Sequence, residues 1–122
     1  MGGHCIAVDP WFIVDGAPDD ARIIRLARNI NDAKPAFVCQ KVAERAASLV
    51  TPVIACLGLS YKADVGDLQE SPALQIVAQL SDMKAGEILV VEPHVSVLPE
   101  TLADRGLMLT DFDAALEQAN MV

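Results

Sequence analysis

The sequence predicts an α/β fold in which a long central helix is followed by a parallel sheet. Apolar residues recur every three to five positions through the first half of the chain, which indicates a helix. Two largely apolar runs, residues 53–59 and 87–91, are typical of strands buried on both faces of a parallel sheet. Helical patterns separate and follow these runs, so the second half is predicted to form βαβ units in a Rossmann-like sheet.

The opening stretch, residues 2–12, is interpreted as a loop that could carry a reactive cysteine. Gly2 and Gly3 allow the backbone to approach a ligand closely. Cys5 leaves this turn and could present its thiol to a small molecule. Asp9 could orient a water molecule or relay a proton. A buried and unreactive cysteine is the alternative, because cysteine is among the most buried residue types.

The central helix is expected to begin at Asp19 or Asp20, because aspartate caps helix N-termini. Its apolar stripe continues past Pro35 in phase, which predicts a single helix that is kinked at that proline. Two helices that meet near residues 31–32 are the alternative. A helix of roughly 30 residues would extend about 45 Å, which favours a connector between domains or a dimer-forming helix. The stripe consists of Ile23, Leu26, Ile30, Ala33, Phe37, Val42, Ala46 and Leu49.

A second helix is predicted between the two apolar runs. Ser71 and Pro72 mark its start, with the serine as cap and the proline at the first helical position. Gly86 marks its end. Its inward stripe is predicted to be Leu74, Val77, Ala78 and Met83, with Leu80 at the edge.

The last quarter of the chain is predicted to complete the sheet. Residues 93–99 read as a loop or short helix, and residues 108–110 as a short third strand. Asp111 or Asp113 is expected to cap a final helix. Residues 121–122 would begin a fourth strand. The sheet therefore looks truncated, and the sequence reads as a fragment of a longer protein.

Ligands of such sheets bind beyond the carboxyl ends of the strands, which here carry residues 58–62 and 92–94. Tyr61 and Lys62 are the natural contacts, because a lysine suits a phosphate and an aromatic ring suits a base or sugar. A solvated loop lysine is the alternative for Lys62. No Gly-x-Gly-x-x-Gly sequence follows either run, so the usual dinucleotide site is not predicted in this sheet.

Composition excludes several classes of partner. The net charge of −8 argues against nucleic acid or an anionic membrane as the main partner, and no apolar run is long enough to span a bilayer. Cys5, Cys39 and Cys56 are widely spaced and form no zinc motif, so no metal is expected. Free thiols predict a cytoplasmic protein.

Four motifs together resemble the UDP-glucose/GDP-mannose dehydrogenase family, and within it the bacterial branch that oxidises UDP-N-acetyl-D-mannosamine at C6. They are GGHCIAVDPWF, ARNINDAKP, GLSYKADVGDLQESPAL and VVEPH, in this order along the chain. The resemblance implies that residues 1–50 hold the end of a central domain, with a catalytic cysteine loop and a connecting and dimerisation helix. It implies that residues 51–122 form part of a C-terminal UDP-binding domain, and that the NAD-binding domain is missing.

The resemblance also implies a reaction. UDP-N-acetyl-D-mannosamine would be oxidised by four electrons to the uronate, with two NAD⁺ and one water, for surface polysaccharide synthesis. Cys5 matches the nucleophile that carries the thiohemiacetal and thioester, and Asp9 the aspartate that assists the proton and water steps. The residues that match nucleotide-sugar contacts are Gly2, Gly3, Tyr61 and Lys62.

Some residues depart from the family pattern. Gln69 stands where an arginine is usual, and it is the one candidate here for contact with the NAD cofactor. The chain alone is expected to be inactive, and a homodimer or higher homo-oligomer is expected through the long helix. The alternatives are a non-catalytic nucleotide-binding or dimerisation module, or the same chemistry on UDP-glucose or another UDP-N-acetylhexosamine.

Overall fold

The computed structural model describes residues 4–62 and 66–122, without the side chain of His4. The described residues form an α/β fold, as predicted, with six helices and two strands. No helix in these two ranges is long and apolar enough to cross a membrane. The elements are α1 (His4–Gly16), α2 (Arg22–Asp32), α3 (Lys34–Ala46), β1 (Val53–Leu57), α4 (Pro72–Asp82), β2 (Glu87–Val91), α5 (Glu100–Ala103) and α6 (Phe112–Gln118).

The sheet is parallel, as predicted, but its outer strands are shorter than predicted. β1 and β2 pair along their full length. The predicted third strand is reduced to one bridge between Leu109 and Val90, and the fourth to one bridge between Met121 and Ile54. Both bridges are parallel, so the order across the sheet is Met121, β1, β2, Leu109.

The main core lies where α4 covers the sheet and packs against α3. Leu80 was expected at the edge of the α4 stripe but is only 1% exposed, whereas Met83 is 51% exposed. Helix geometry gives the reason. Leu80 lies three positions after the buried Val77 and so shares its face, while Met83 lies past the end of the helix.

From His4 onward the opening stretch is a helix, so the loop predicted there is wrong, while Gly2 and Gly3 lie outside the described residues. α1 runs from His4 to Gly16 with Pro10 in its interior. α2 begins at Arg22 instead of Asp19 or Asp20, because the N–H of Ala21 already bonds the carbonyl of Ala17 at 2.9 Å and closes a turn. Ala21 occupies the N-cap position, and the first turn of α2 receives no side-chain capping bond.

The prediction of a single long helix is also wrong, and the alternative prediction of two helices is correct. α2 ends at Asp32 and α3 begins at Lys34, because Pro35 has no N–H with which to continue the α2 ladder. That proline instead occupies the first turn of α3, where no donor is required.

Much of the predicted apolar stripe is exposed to solvent. Arg28 is the buried residue of α2, and α3 turns Cys39 and Ala46 inward. The exposed fractions of the large outward side chains are 83% for Ile23, 59% for Leu26, 64% for Ile30 and 51% for Phe37.

Candidate functional site

The carboxyl ends of β1 and β2 are joined through the buried carboxylate of Glu92. Its Oε2 accepts hydrogen bonds from the backbone N–H groups of Leu59 at 2.7 Å and Ser60 at 3.1 Å. Its Oε1 accepts one from the N–H of His94 at 3.1 Å. One side chain at the end of β2 therefore fixes the loop that follows β1.

Glu92 remains a carboxylate at neutral pH. Burial favours the neutral acid and would raise the pKa of Glu92, but the N–H groups of Leu59, His94 and Ser60 outweigh it and lower the pKa below its ordinary value. Glu92 was not among the predicted site residues. The signal available in the sequence was an acidic residue placed directly after a run of four apolar residues, 88–91.

Gly58 and Ser71 also determine the conformation of the loop that follows β1. Gly58 has φ +85°, a conformation that favours glycine, and it ends β1 two residues before the predicted end. Ser71 stands at the cap position of α4, as predicted, but makes no side-chain capping bond. Its buried hydroxyl donates to the carbonyl of Leu59 instead. The loop is thus held by both its amides and its carbonyl.

Tyr61 and Lys62 follow directly on this fixed segment, and both are exposed. The structure therefore places an aromatic ring and an ammonium group at the carboxyl edge of the sheet, where a ligand of a parallel sheet binds. The backbone of Gly66 lies close to the backbone of His94. A Cβ on Gly66 would lie 2.7 Å from the carbonyl oxygen of His94, so only glycine fits there without a shift.

Cys5 lies in the first turn of α1 and is the exposed thiol among the three. Asp9 lies one helical turn later and is also exposed, so the two residues share one face of the helix. Gly2 and Gly3 lie outside the described residues. Burial raises the pKa of Cys39, and it raises the pKa of Cys56 to about 11, so both are poor nucleophiles.

A cleft of about 300 Å³ separates the cysteine-bearing helix from the start of α4. Arg28 lines it and is only 7% exposed. Its Nη1 donates to the carbonyl of Ile6 at 3.2 Å and its Nη2 pairs with Asp32, while Nε has no partner among the described residues. The other lining residues are Ala7, Val8, Trp11, Asn31, Asp32, Pro35, Glu70, Pro72 and Gln75.

The predicted site residues that the structure describes are thus distributed over three places. Cys5 and Asp9 lie on α1, and neither lines the cleft. Tyr61 and Lys62 lie at the sheet edge. Gln69 is exposed in the turn before α4, where its N–H bonds the carboxylate of Asp67 at 3.0 Å.

The described residues supply neither a metal centre nor a dinucleotide turn. No group of three or more potential metal ligands occurs in the parts of the chain that the structure describes. β1 is followed by a single glycine, and the glycine-rich turn that cradles a dinucleotide pyrophosphate is not formed there. The described residues therefore do not fit NAD as a complete site.

A family model and several relatives match this chain. The model described as the UDP binding domain of the UDP-glucose/GDP-mannose dehydrogenase family matches residues 55–122. The chain is 54% identical, over its full length, to an NDP-N-acetyl-D-galactosaminuronic acid dehydrogenase of Ralstonia nicotianae and covers 28% of that protein. It is 50% identical, again over its full length, to a UDP-N-acetyl-D-mannosamine dehydrogenase of Campylobacter jejuni and covers 30% of it. The chain thus spans less than a third of these relatives.

Solved structures agree with these sequence matches. A derivative structure of the UDP-N-acetyl-mannosamine dehydrogenase Cap5O from Staphylococcus aureus superposes with a TM-score of 0.70 at 38% identity. The match covers 80% of this chain and 23% of that one. The native structure of the same enzyme gives a TM-score of 0.61 at 36% identity, over 80% of this chain and 22% of that one.

Proposed function

Because the chain belongs to the UDP-glucose/GDP-mannose dehydrogenase family, we propose that it binds a UDP-sugar at the carboxyl edge of its sheet and carries the enzyme's nucleophile on α1. The observation that carries the proposal is the family match over residues 55–122, which includes the loop fixed by Glu92. Residues 1–50 would then be the end of a central domain, and residues 51–122 the UDP-binding part.

We propose UDP-N-acetyl-D-mannosamine as the first choice of substrate. Relatives that bear this activity in their names are 44% to 50% identical to this chain over its full length. A UDP-N-acetylgalactosamine-type sugar is the second choice, because the Ralstonia nicotianae relative is 54% identical. An assay of the full-length enzyme against both UDP-sugars and UDP-glucose, counting two NADH per sugar, distinguishes these choices.

The proposed chemistry uses Cys5 as a covalent carrier. The C6 alcohol loses a hydride and a proton and becomes an aldehyde. The Cys5 thiolate then adds to the aldehyde carbon while the aldehyde oxygen takes up a proton, which gives a thiohemiacetal. Loss of a second hydride and a proton gives a thioester, which one water hydrolyses to the carboxylate and the free thiol. Asp9 would handle protons in these steps from the same face of α1. Both hydrides leave with NAD⁺ bound by the full-length enzyme, so the chain alone is expected to be inactive.

The nucleotide site has a direct test in Lys62. UDP should raise the melting temperature of the protein, because a ligand that binds only the folded state stabilises it by about 2.7 kcal/mol at a hundredfold excess over Kd. Lys62→Gln should remove most of this shift, since the ammonium would lose its diphosphate partner.

Lys84→Gln is the matched control for that experiment. Lys84 is an exposed lysine that follows the end of α4. It should leave the UDP-induced shift intact. An equal loss of the shift in both variants would mean that UDP binding depends only on the overall charge of the protein, which would contradict the role of Lys62. The absence of any shift in the unmodified protein at millimolar UDP would contradict the proposed site.

We propose in addition that α2 and α3 mediate self-association, because their outward stripe exposes several large apolar side chains. Ile30→Glu should shift the protein to a smaller species in analytical ultracentrifugation. Val50→Glu is the control, because Val50 is fully exposed but lies outside both helices. A sedimentation profile unaffected by Ile30→Glu would contradict this interface.

We also propose a cytoplasmic location for the protein. Cys5, Cys39 and Cys56 are all free thiols, and thiols persist in reducing compartments.

A further inference from the structure

We infer that Arg28 positions the cysteine-bearing turn of α1 by replacing a backbone hydrogen bond that Pro10 removes. In an α-helix the N–H at position 10 would donate to the carbonyl at position 6. Pro10 has no N–H, so the carbonyl of Ile6 lacks its helical partner. The inference rests on the proposed role of Cys5 as nucleophile.

The guanidinium of Arg28 occupies the place of that missing donor. Its Nη1 donates to the Ile6 carbonyl at 3.2 Å, from a residue 22 positions further along the chain. The other terminal nitrogen of the same guanidinium, Nη2, pairs with Asp32, one turn further along α2. Arg28 is only 7% exposed, so its guanidinium is largely withdrawn from water.

The contact lies within the turn that carries the proposed chemistry. Ile6 directly follows Cys5, and Pro10 directly follows Asp9. The Arg28 bond therefore ties both reacting groups to α2 instead of leaving them on a helix weakened by its proline. Displacement of a reacting group by about 1 Å can cost on the order of a hundredfold in rate, so this tie is expected to act on turnover.

A double-mutant cycle in the full-length enzyme tests the inference. Arg28→Met removes the donors and keeps the apolar stem, and it should lower kcat by about 10- to 100-fold with KM for the UDP-sugar nearly unchanged. Pro10→Ala restores an N–H for the Ile6 carbonyl. In that background Arg28→Met should cost several-fold less, because the helix again supplies its own donor.

Two further variants complete the design. Arg22→Met is the matched control, because Arg22 is an exposed arginine of the same helix, and it should leave kcat unchanged. Arg28→Lys keeps the charge and one donor, so it should lose less kcat than Arg28→Met. If Arg28→Met does not fold, the cycle is run with Arg28→Lys.

The outcomes separate this inference from the proposed function. Equal losses from the Arg28 substitution with and without Pro10→Ala would overturn the positioning role, as would an effect confined to KM. Cys5→Ser is measured in parallel. Normal acid formation by that variant would remove the nucleophile role and this inference together, whereas an inactive Cys5→Ser with additive Arg28 and Pro10 effects overturns the inference alone.

Discussion

Replacement of Glu92 by glutamine should destabilise the sheet edge without changing the size of the side chain. Glu92 accepts bonds from the N–H groups of Leu59, Ser60 and His94 and from the Ser60 hydroxyl at 3.3 Å. Glutamine has one acceptor oxygen, and its NH₂ group would face donors. Hydrogen bonds to a charged group contribute about 1.5–3 kcal/mol each and are not additive, so we expect a loss of about 2–4 kcal/mol.

The stabilisation by Glu92 should depend on pH, in a direction set by the shift of its pKa. The folded protein lowers the pKa of Glu92, so the unfolded chain binds the proton more readily. The stabilisation is therefore fully present above the unfolded value of about 4.3 and is lost as the pH falls through the lower folded value. The difference between the two proteins should be largest at neutral pH and shrink in acid.

Urea unfolding followed by circular dichroism measures this difference at a series of pH values. Glu117→Gln is the control, because Glu117 is an exposed carboxylate on α6. It should change the free energy of unfolding by less than about 0.5 kcal/mol. A Glu92→Gln loss as small as that of the control, or one independent of pH, would refute the role assigned to this carboxylate.

Two further predictions concern close packing and thiol reactivity. Gly66→Ala should lower the melting temperature, because its Cβ would lie 2.7 Å from the His94 carbonyl, whereas Gly16→Ala has no neighbour within 4 Å and should be tolerated; equal melting temperatures would contradict the close approach. At pH 8, maleimide labelling read by mass spectrometry should modify the exposed Cys5 well before Cys56, whose raised pKa of about 11 leaves little thiolate. Labelling of both at one rate would contradict this.

Predictions from local sequence were correct where neighbouring residues in the chain decide the structure. The second strand was predicted at residues 87–91 and is observed there, because a short buried run between a glycine and a proline has few alternatives. The cap of α6 is Asp111, one of the two residues predicted for that position. Asp111 accepts from the N–H groups of Asp113 and Ala114 within its own turn, so no distant partner is involved.

Predictions failed where a distant residue decides local structure. Residues 2–12 were predicted to form a loop, yet α1 begins at His4 and runs through Pro10, and Arg28 donates to the Ile6 carbonyl. Ser71 read as a capping serine, yet its hydroxyl bonds Leu59, twelve residues away. In both cases a polar group found its partner in another segment, which spacing along the chain cannot reveal.

By itself, the sequence determined the α/β class, the parallel pairing of its two main strands and the candidate residues Cys5 and Lys62. Periodicity and short motifs carry this information, because they reflect interactions within a few residues. Only the tertiary structure decided that Glu92 fixes the loop before Lys62 and that Arg28 holds the turn after Cys5. The physical reason is that a buried polar group must find a hydrogen-bonding partner, and folding brings that partner from wherever the packed chain places it.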